Sequence, residues 1–222
     1  MAIVFPRYFK KPIITISIVI INIIVFIRVN VMANWILGEP DIHFINLGFT
    51  ASEFFNGRKL HTIITSMFLH GDIFHIGFNM FYFFLFSLDI EGGLGRDSFV
   101  LGRISFLIMY FFSGIVANLI YGLIASVFMN PGIPAIGASG AIFGVMGAYA
   151  LLFPENQALV YVGRFFWRTR AWVAIIFYFV LQVIYGIIAA GSGVAYWAHV
   201  GGFLGGIGYI LLVYKSRGIE FD

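Results

Sequence analysis

Pro131-Gly132-Ile133-Pro134-Ala135-Ile136-Gly137-Ala138-Ser139-Gly140 is a break followed by a helix start. Pro131, Gly132 and Pro134 interrupt any regular helix, because proline has no N–H to donate and its ring clashes with the turn before it. The apolar stretch that opens at Ser139 runs only to about Phe153. Irregular backbone at membrane depth is tolerated only where it is buried in protein or lines a watery cavity. The meaning of this stretch therefore turns on whether the chain lives in lipid.

Composition decides that. The 222 residues are 61% hydrophobic and only 10% charged, with a mean hydropathy of +0.98. Soluble domains carry about 25% charged residues, and a chain this apolar has no means of covering its surface in water. It reads as an integral membrane protein. With no cysteine in the sequence, disulfides, thiolate chemistry and Cys-ligated metals are excluded. No basic run with interleaved aromatics points to nucleic acid as a partner. The apolar run 13–27 lacks a small-residue cleavage site near its end, so it reads as a retained first span rather than a signal peptide.

Six apolar segments follow, at 12–32, 73–88, 99–128, 139–153, 171–190 and 194–214. Most approach the roughly 20 residues a helix needs to cross about 30 Å of hydrocarbon; the fourth is short. Ten Lys and Arg residues, including Arg7, Lys10, Lys11, Arg96, Arg103, Arg164, Arg168, Arg170, Lys215 and Arg217, fall on one side of these spans. Only Arg58 and Lys59 fall in the opposite loops, with Arg28 near a span end. Basic loops stay in the cytoplasm, so both termini are expected there. The first external loop, 33–70, mixes Trp35, Phe44, Phe49, Phe54 and Phe55 with charged residues, a pattern suited to the membrane interface. No repeat or domain boundary emerges. The expected fold is a single all-α membrane domain over 1–222: a six-transmembrane-helix bundle with a short, cavity-starting fourth helix and an interfacial first loop.

Polar groups inside spans are costly and mark candidate sites. Ser139 admits two readings: a packing serine bonded to its own helix, or a nucleophile at a helix N-terminus, where free N–H groups and the dipole favour developing negative charge. His199 opens the sixth span in Ala198-His199-Val200-Gly201-Gly202, with Gly206 one further turn along. Gly140, Gly144 and Gly147 on span four offer a matching small face, and small residues four apart let two helices approach closely. That packing would bring His199 within reach of Ser139, and neutral imidazole is the usual base for a serine. No buried carboxylate stands ready to orient His199, which leaves packing against Tyr196, Trp197 or Phe143.

His75 and Asn79 lie four apart on one face of span two, where paired donors suit an oxyanion hole. A metal reading fails: His70 and His75 are five apart, no acidic residue sits between them at the right spacing, and no third ligand is evident. His70 is expected to position the loop through hydrogen bonds. Asp89 and Glu91 are expected to order a loop or cap a helix, and Asn22 and Asn118 to bond between helices.

Together, His70…His75…Asn79, Gly137-Ala138-Ser139-Gly140 and Ala198-His199…Gly202…Gly206 resemble the rhomboid intramembrane serine proteases. Glu91-Gly92-Gly93-Leu94-Gly95 resembles the family's stretch after span two. The resemblance implies Ser139 as nucleophile and His199 as general base and then acid. It also implies His75, Asn79 and the Ser139 N–H as oxyanion donors. It implies hydrolysis of a peptide bond in or beside the transmembrane helix of a single-span or other membrane protein, with lipid as the surrounding partner. No metal or organic cofactor is implied. The chain departs from the family's best-known bacterial member at Phe143, where a tyrosine stands, and lacks the Trp-Arg pair many members carry in the first loop. The cell (plasma) membrane of a prokaryote is the expected location. Two other functions compete. A catalytically inactive relative that binds membrane clients would typically lack Ser139 or His199. A small transporter would show charged or inverted-repeat spans, and neither is present.

Overall fold

Lipid offers no hydrogen bonds, so an apolar segment must satisfy its backbone internally, and helix is the default. The structure, a computed structural model, describes residues 12–36, 42–94, 99–162, 165–189 and 193–216. Helix α1, Ile13–Phe26, continues as a π-helical stretch over Ile27–Ile36. The first loop folds into three short helices, α2 (Ile42–Leu47), α3 (Ala51–Phe55) and α4 (Thr62–Thr65), ending in a 3₁₀ turn at Ser66–Phe68. Then come α5 (Ile73–Gly93), α6 (Phe99–Phe128), α7 (Ser139–Leu152), α8 (Ala171–Ile188) and α9 (Tyr196–Ser216).

Five of these helical segments are long and apolar enough to cross a membrane: Ile13–Ala33, Ile73–Gly92, Val100–Phe128, Ala171–Ile188 and Tyr196–Lys215. Helix α7 has 14 residues, about 21 Å at 1.5 Å per residue. It is apolar all round, which marks a helix enclosed by protein. Helices α5, α6, α8 and α9 all contact it, and Val145 and Ala148 are fully buried. By contrast, α5 and α8 turn large apolar side chains outward, with Phe74 73% and Ile188 71% exposed. Such a surface fits a lipid solvent.

The glycine faces meet as their spacing predicts. The Gly140 carbonyl lies where a Cβ on Gly202 would go, and the Gly144 carbonyl where a Cβ on Gly206 would go. A methyl group on Gly147 would sit 2.6 Å from the Phe203 carbonyl. Helix α6 closes the other side, with Ala117 against Gly140 and Ser113 against Gly144.

The all-α expectation needs correction. Residues Gln157–Val162 (β1) and Phe165–Arg170 (β2) form an antiparallel hairpin, with Gln157 opposite Arg170 and Val162 opposite Phe165. The run Val160-Tyr161-Val162 and Phe165-Phe166-Trp167 around Gly163 carries the β-branched and aromatic residues that strands favour. Trp167 meets Phe177 of α8 edge to face at 6.0 Å, and Val160 is buried.

Glu91 is a cap, but for another helix. Its carboxylate accepts from Ile14 N, Thr15 N and Thr15 Oγ1 at 2.8–3.0 Å, so it satisfies free N–H groups of α1 and opposes the positive end of that helix dipole. Arg103 Nε lies 3.5 Å from it. Asp89 accepts from Tyr149 Oη at 3.0 Å, tying α5 to α7. Asn22 of α1 meets the Tyr110 hydroxyl of α6, the interhelical partner expected of it. It also donates to the Ile18 carbonyl of its own helix, whereas Asn118 of α6 reaches the first loop at the Ile63 carbonyl and Ser66 Oγ. Arg7, Lys10, Lys11, Arg96, Arg164, Arg217 and the side chain of Trp35 lie outside the described residues.

Candidate active site

The break before α7 is irregular, so its backbone groups need partners from elsewhere, and the first loop supplies them. Phe49 and Ala135 exchange two backbone hydrogen bonds at 3.0 and 2.8 Å, and Ser52 N donates to the Pro131 carbonyl. Gly137 N donates to the Ser66 carbonyl at 2.9 Å, and Asn118 fixes Ser66 in turn. Phe49 is fully buried and packs on Phe54. This is how the loop is anchored without a Trp-Arg pair. Arg58 makes a two-pronged bond to Glu53 at 3.0 Å.

Gly137 has φ +119°, which L side chains rarely adopt. A methyl group there would sit 2.8 Å from His75 Nε2 and 3.6 Å from Ser139 Oγ. Glycine thus turns the chain into α7 and keeps the space between these two side chains open. Ala138, the N-cap, offers no side-chain acceptor, so the first N–H groups of α7 are not capped by it.

His199 Nε2 lies 2.8 Å from Ser139 Oγ. The imidazole stacks on Phe143 at 4.5 Å with an 11° interplanar angle, and Tyr196 meets it edge-on at 6.3 Å. Trp197 is directed to α8, its Nε1 donating to the Gly186 carbonyl at 3.2 Å. The remaining ring nitrogen, Nδ1, lies 2.8 Å from Gln182 Oε1. Gln182 is the residue that sequence reasoning missed, and the available signal was a carboxamide within the apolar run 171–190.

His75 and Asn79 line the same cavity as Ser139 and His199, a space of about 710 Å³. Asn79 Nδ2 donates to the His75 carbonyl at 2.9 Å, which leaves its second N–H for the cavity. His75 Nδ1 accepts from Gly71 N at 3.3 Å, so its Nε2 is the nitrogen that can carry a proton towards Ser139. Asp72 caps α5, accepting from Phe74 N and His75 N at 2.8 and 2.9 Å. The cavity walls are Phe78 and Tyr82 of α5 and Tyr178 of α8, with Met146 of α7 beneath.

His70 makes loop contacts as expected: its ring bonds to the Phe68 backbone, and its carbonyl accepts from Asn30 Nδ2 at 2.9 Å. The ring is fully buried and meets His75 edge to face at 5.0 Å. Burial, with His75 adding to it, pushes its pKa from 6.5 down to about 3. The unfolded histidine gains a proton below pH 6.5 while the folded one stays neutral to about pH 3, so the unfolded state binds more protons between them. Stability should therefore fall as the pH drops through that window, by up to about 1.4 kcal/mol per unit from this group. Thermal unfolding in detergent from pH 7 to pH 4 measures the slope, which His70→Phe should flatten.

The family model described as Rhomboid domain matches residues 57–216. The chain is 29% identical over 180 residues to a rhomboid-like protease 3 of Toxoplasma gondii, covering 78% of this chain and 59% of that protein. It is 33% identical over 160 residues to the mitochondrial rhomboid protein 1 of Saccharomyces cerevisiae (70% and 42%). It is 29% identical over 184 residues to the mitochondrial presenilin-associated rhomboid-like protein of Rattus norvegicus (80% and 46%). The chain spans about half the length of the curated relatives it matches. Two of these three carry mitochondrial names, and none supports a prokaryotic cell membrane; what stands is a multi-pass membrane protein. The matched region holds every residue of the cavity, from Gly71 to His199. The chain belongs to the rhomboid family.

Proposed function

We propose that this chain is an intramembrane serine endopeptidase that cleaves peptide bonds in or beside the transmembrane helices of other membrane proteins. The observation that carries this reading is the 2.8 Å contact between Ser139 Oγ and His199 Nε2 at the wall of a cavity large enough for a peptide segment. His199 Nε2 takes the Ser139 proton as Oγ attacks the substrate carbonyl carbon. The tetrahedral oxyanion then accepts hydrogen bonds from His75 Nε2, Asn79 Nδ2 and the Ser139 N–H. Collapse expels the amine, which receives the proton held on His199, and leaves an acyl-serine. A water molecule, deprotonated by the same imidazole, attacks the ester carbonyl, and Ser139 regains its proton from His199 as the acid product leaves. The donors cost no reorganisation because helices α5 and α7 fix them before charge develops.

We further propose six spans, with α7 as the fourth. At about 21 Å it cannot cross the hydrocarbon alone, so Ser139 lies below the membrane surface with the first loop over it at the interface. Residues 1–222 form one domain, with the arginine-rich loops and both termini on the cytoplasmic side.

The test is covalent labelling by a serine-reactive fluorophosphonate. The folded protein should be modified at Ser139 alone. Absence of labelling in a folded sample would favour a client-binding role for the same cavity. Asn79→Ala should weaken turnover without abolishing it. One oxyanion donor is worth roughly 3 kcal/mol, about 100-fold in kcat, with KM little changed. Steady-state cleavage of a transmembrane reporter by the two proteins separates the constants.

A further inference from the structure

We propose that Gln182 is a positioning residue that sets the tautomer of His199, accepting the Nδ1 proton so that Nε2 is free to take the proton of Ser139. The inference rests on the reading of Ser139 and His199 as nucleophile and base. Neutral imidazole carries one proton on one of two nitrogens, and the hydrogen bond made by the other decides which. If Nε2 held it, the ring could only donate to Ser139 Oγ, and no base would be available. His199 Nδ1 lies 2.8 Å from Gln182 Oε1. A carboxamide oxygen accepts and cannot donate, so Nδ1–H pointing at it leaves Nε2 unprotonated. The group does by dipole what a buried carboxylate does by charge in a triad, without placing an ion at membrane depth, where it would be costly.

The neighbours of Gln182 on the same face of α8 pack on α9. One turn earlier, Phe179 stacks on Phe203 of α9 at 4.3 Å. One turn later, the Gly186 carbonyl accepts from Trp197 Nε1, and Tyr185 stacks on Tyr196 at 5.6 Å. These contacts bracket Gln182 and His199 on both sides, so α8 and α9 are registered at the place where the hydrogen bond falls. The flat face of the imidazole rests on Phe143, which fixes the ring plane but cannot choose between its nitrogens. Only an acceptor or donor in that plane can, and Gln182 is in position to be one. Helix α8 otherwise contributes Tyr178 to the cavity wall. It thereby becomes part of the base as well as part of the wall.

The test compares Gln182→Met, which keeps the volume and loses the strong acceptor, with Gln182→Glu, which keeps an acceptor oxygen in place. In the full chain in detergent, Gln182→Met should lower kcat for a transmembrane reporter, and the rate of fluorophosphonate labelling, by roughly 10- to 100-fold. KM should stay within about twofold, and Gln182→Glu should recover most of the loss. Imidazole nitrogen NMR of labelled histidine should show the Nδ1-protonated tautomer for His199 in the parent and a mixture in Gln182→Met. A parent His199 protonated on Nε2, or a Gln182→Met protein with unchanged kcat, overturns the proposal. Loss of kcat in Gln182→Met and Gln182→Glu alike, with tautomer and melting temperature unmoved, overturns it too. A parent with the expected tautomer that neither labels nor cleaves refutes the protease reading while the tautomer assignment stands.

Discussion

Replacing Ser139 with alanine is expected to lower cleavage of a transmembrane reporter by roughly four to six orders of magnitude, while the protein stays folded. The size follows from what is removed. The oxygen that would form the acyl bond is gone, and water would have to attack with only the oxyanion donors and substrate binding to help it. The fold should be unaffected because Ser139 Oγ bonds to His199 Nε2 and caps no helix, and alanine suits a first helical turn. His199→Ala should cost a comparable amount, and the double variant little more, since a nucleophile and its base act as one unit. Purified proteins matched for melting temperature make the comparison clean. Cleavage by Ser139→Ala at the parent rate would sink the protease reading and return Ser139 to the packing role that its glycine neighbours also permit.

How much of this was legible in the sequence depended on the kind of interaction. The helices α1, α5, α6, α8 and α9 fall within a few residues of their apolar runs, because lipid imposes one solution on such a segment. The meeting of Ser139 with His199 could be anticipated because it rests on side-chain size: glycines repeat at helical spacing on both α7 and α9. The partners of His199 were harder. Phe143 lies one turn along from Ser139 and was visible. Gln182 is one carboxamide on an otherwise apolar helix, and its use depends on which face of α8 meets α9, which no local pattern states. The loop anchor left even less trace. Phe49 and Ala135 meet through backbone groups, which every residue carries, so no residue type announces the bridge. The hairpin Gln157–Arg170 lies between two spans, where the length of an apolar run, the signal that marks a span, says nothing of short strands. For Glu91 the sequence left loop ordering and helix capping both open, because the helix it caps, at the N-terminus of α1, lies more than seventy residues away.

The close contact of α7 with α9 that places His199 beside Ser139 predicts a second large effect. Gly202→Val together with Gly206→Val should destabilise the protein by about 6 kcal/mol, taking the upper end of the roughly 1–3 kcal/mol that overpacking costs at each site. The two new side chains would run into the carbonyls of Gly140 and Gly144. A carbonyl within a helix cannot swing aside as a side chain can, so the helices must separate. Separation has a cost in function before it has one in folding. Reaching the dyad needs an Oγ-to-Nε2 distance near 3 Å, and a shift of about 1 Å in α9 would lose catalysis even in molecules that remain folded. Gly208 supplies the control. It sits on the same helix, but a Cβ there would meet nothing within 4 Å. Gly208→Ala should therefore be neutral or stabilising by up to about 1 kcal/mol, because alanine is the better helix former. Equilibrium unfolding in mixed micelles, run beside reporter cleavage, reads both quantities for the same proteins. Equal stability of the double valine variant and the parent would mean that α7 and α9 do not pack through these glycines. The positioning of His199 would then need another explanation.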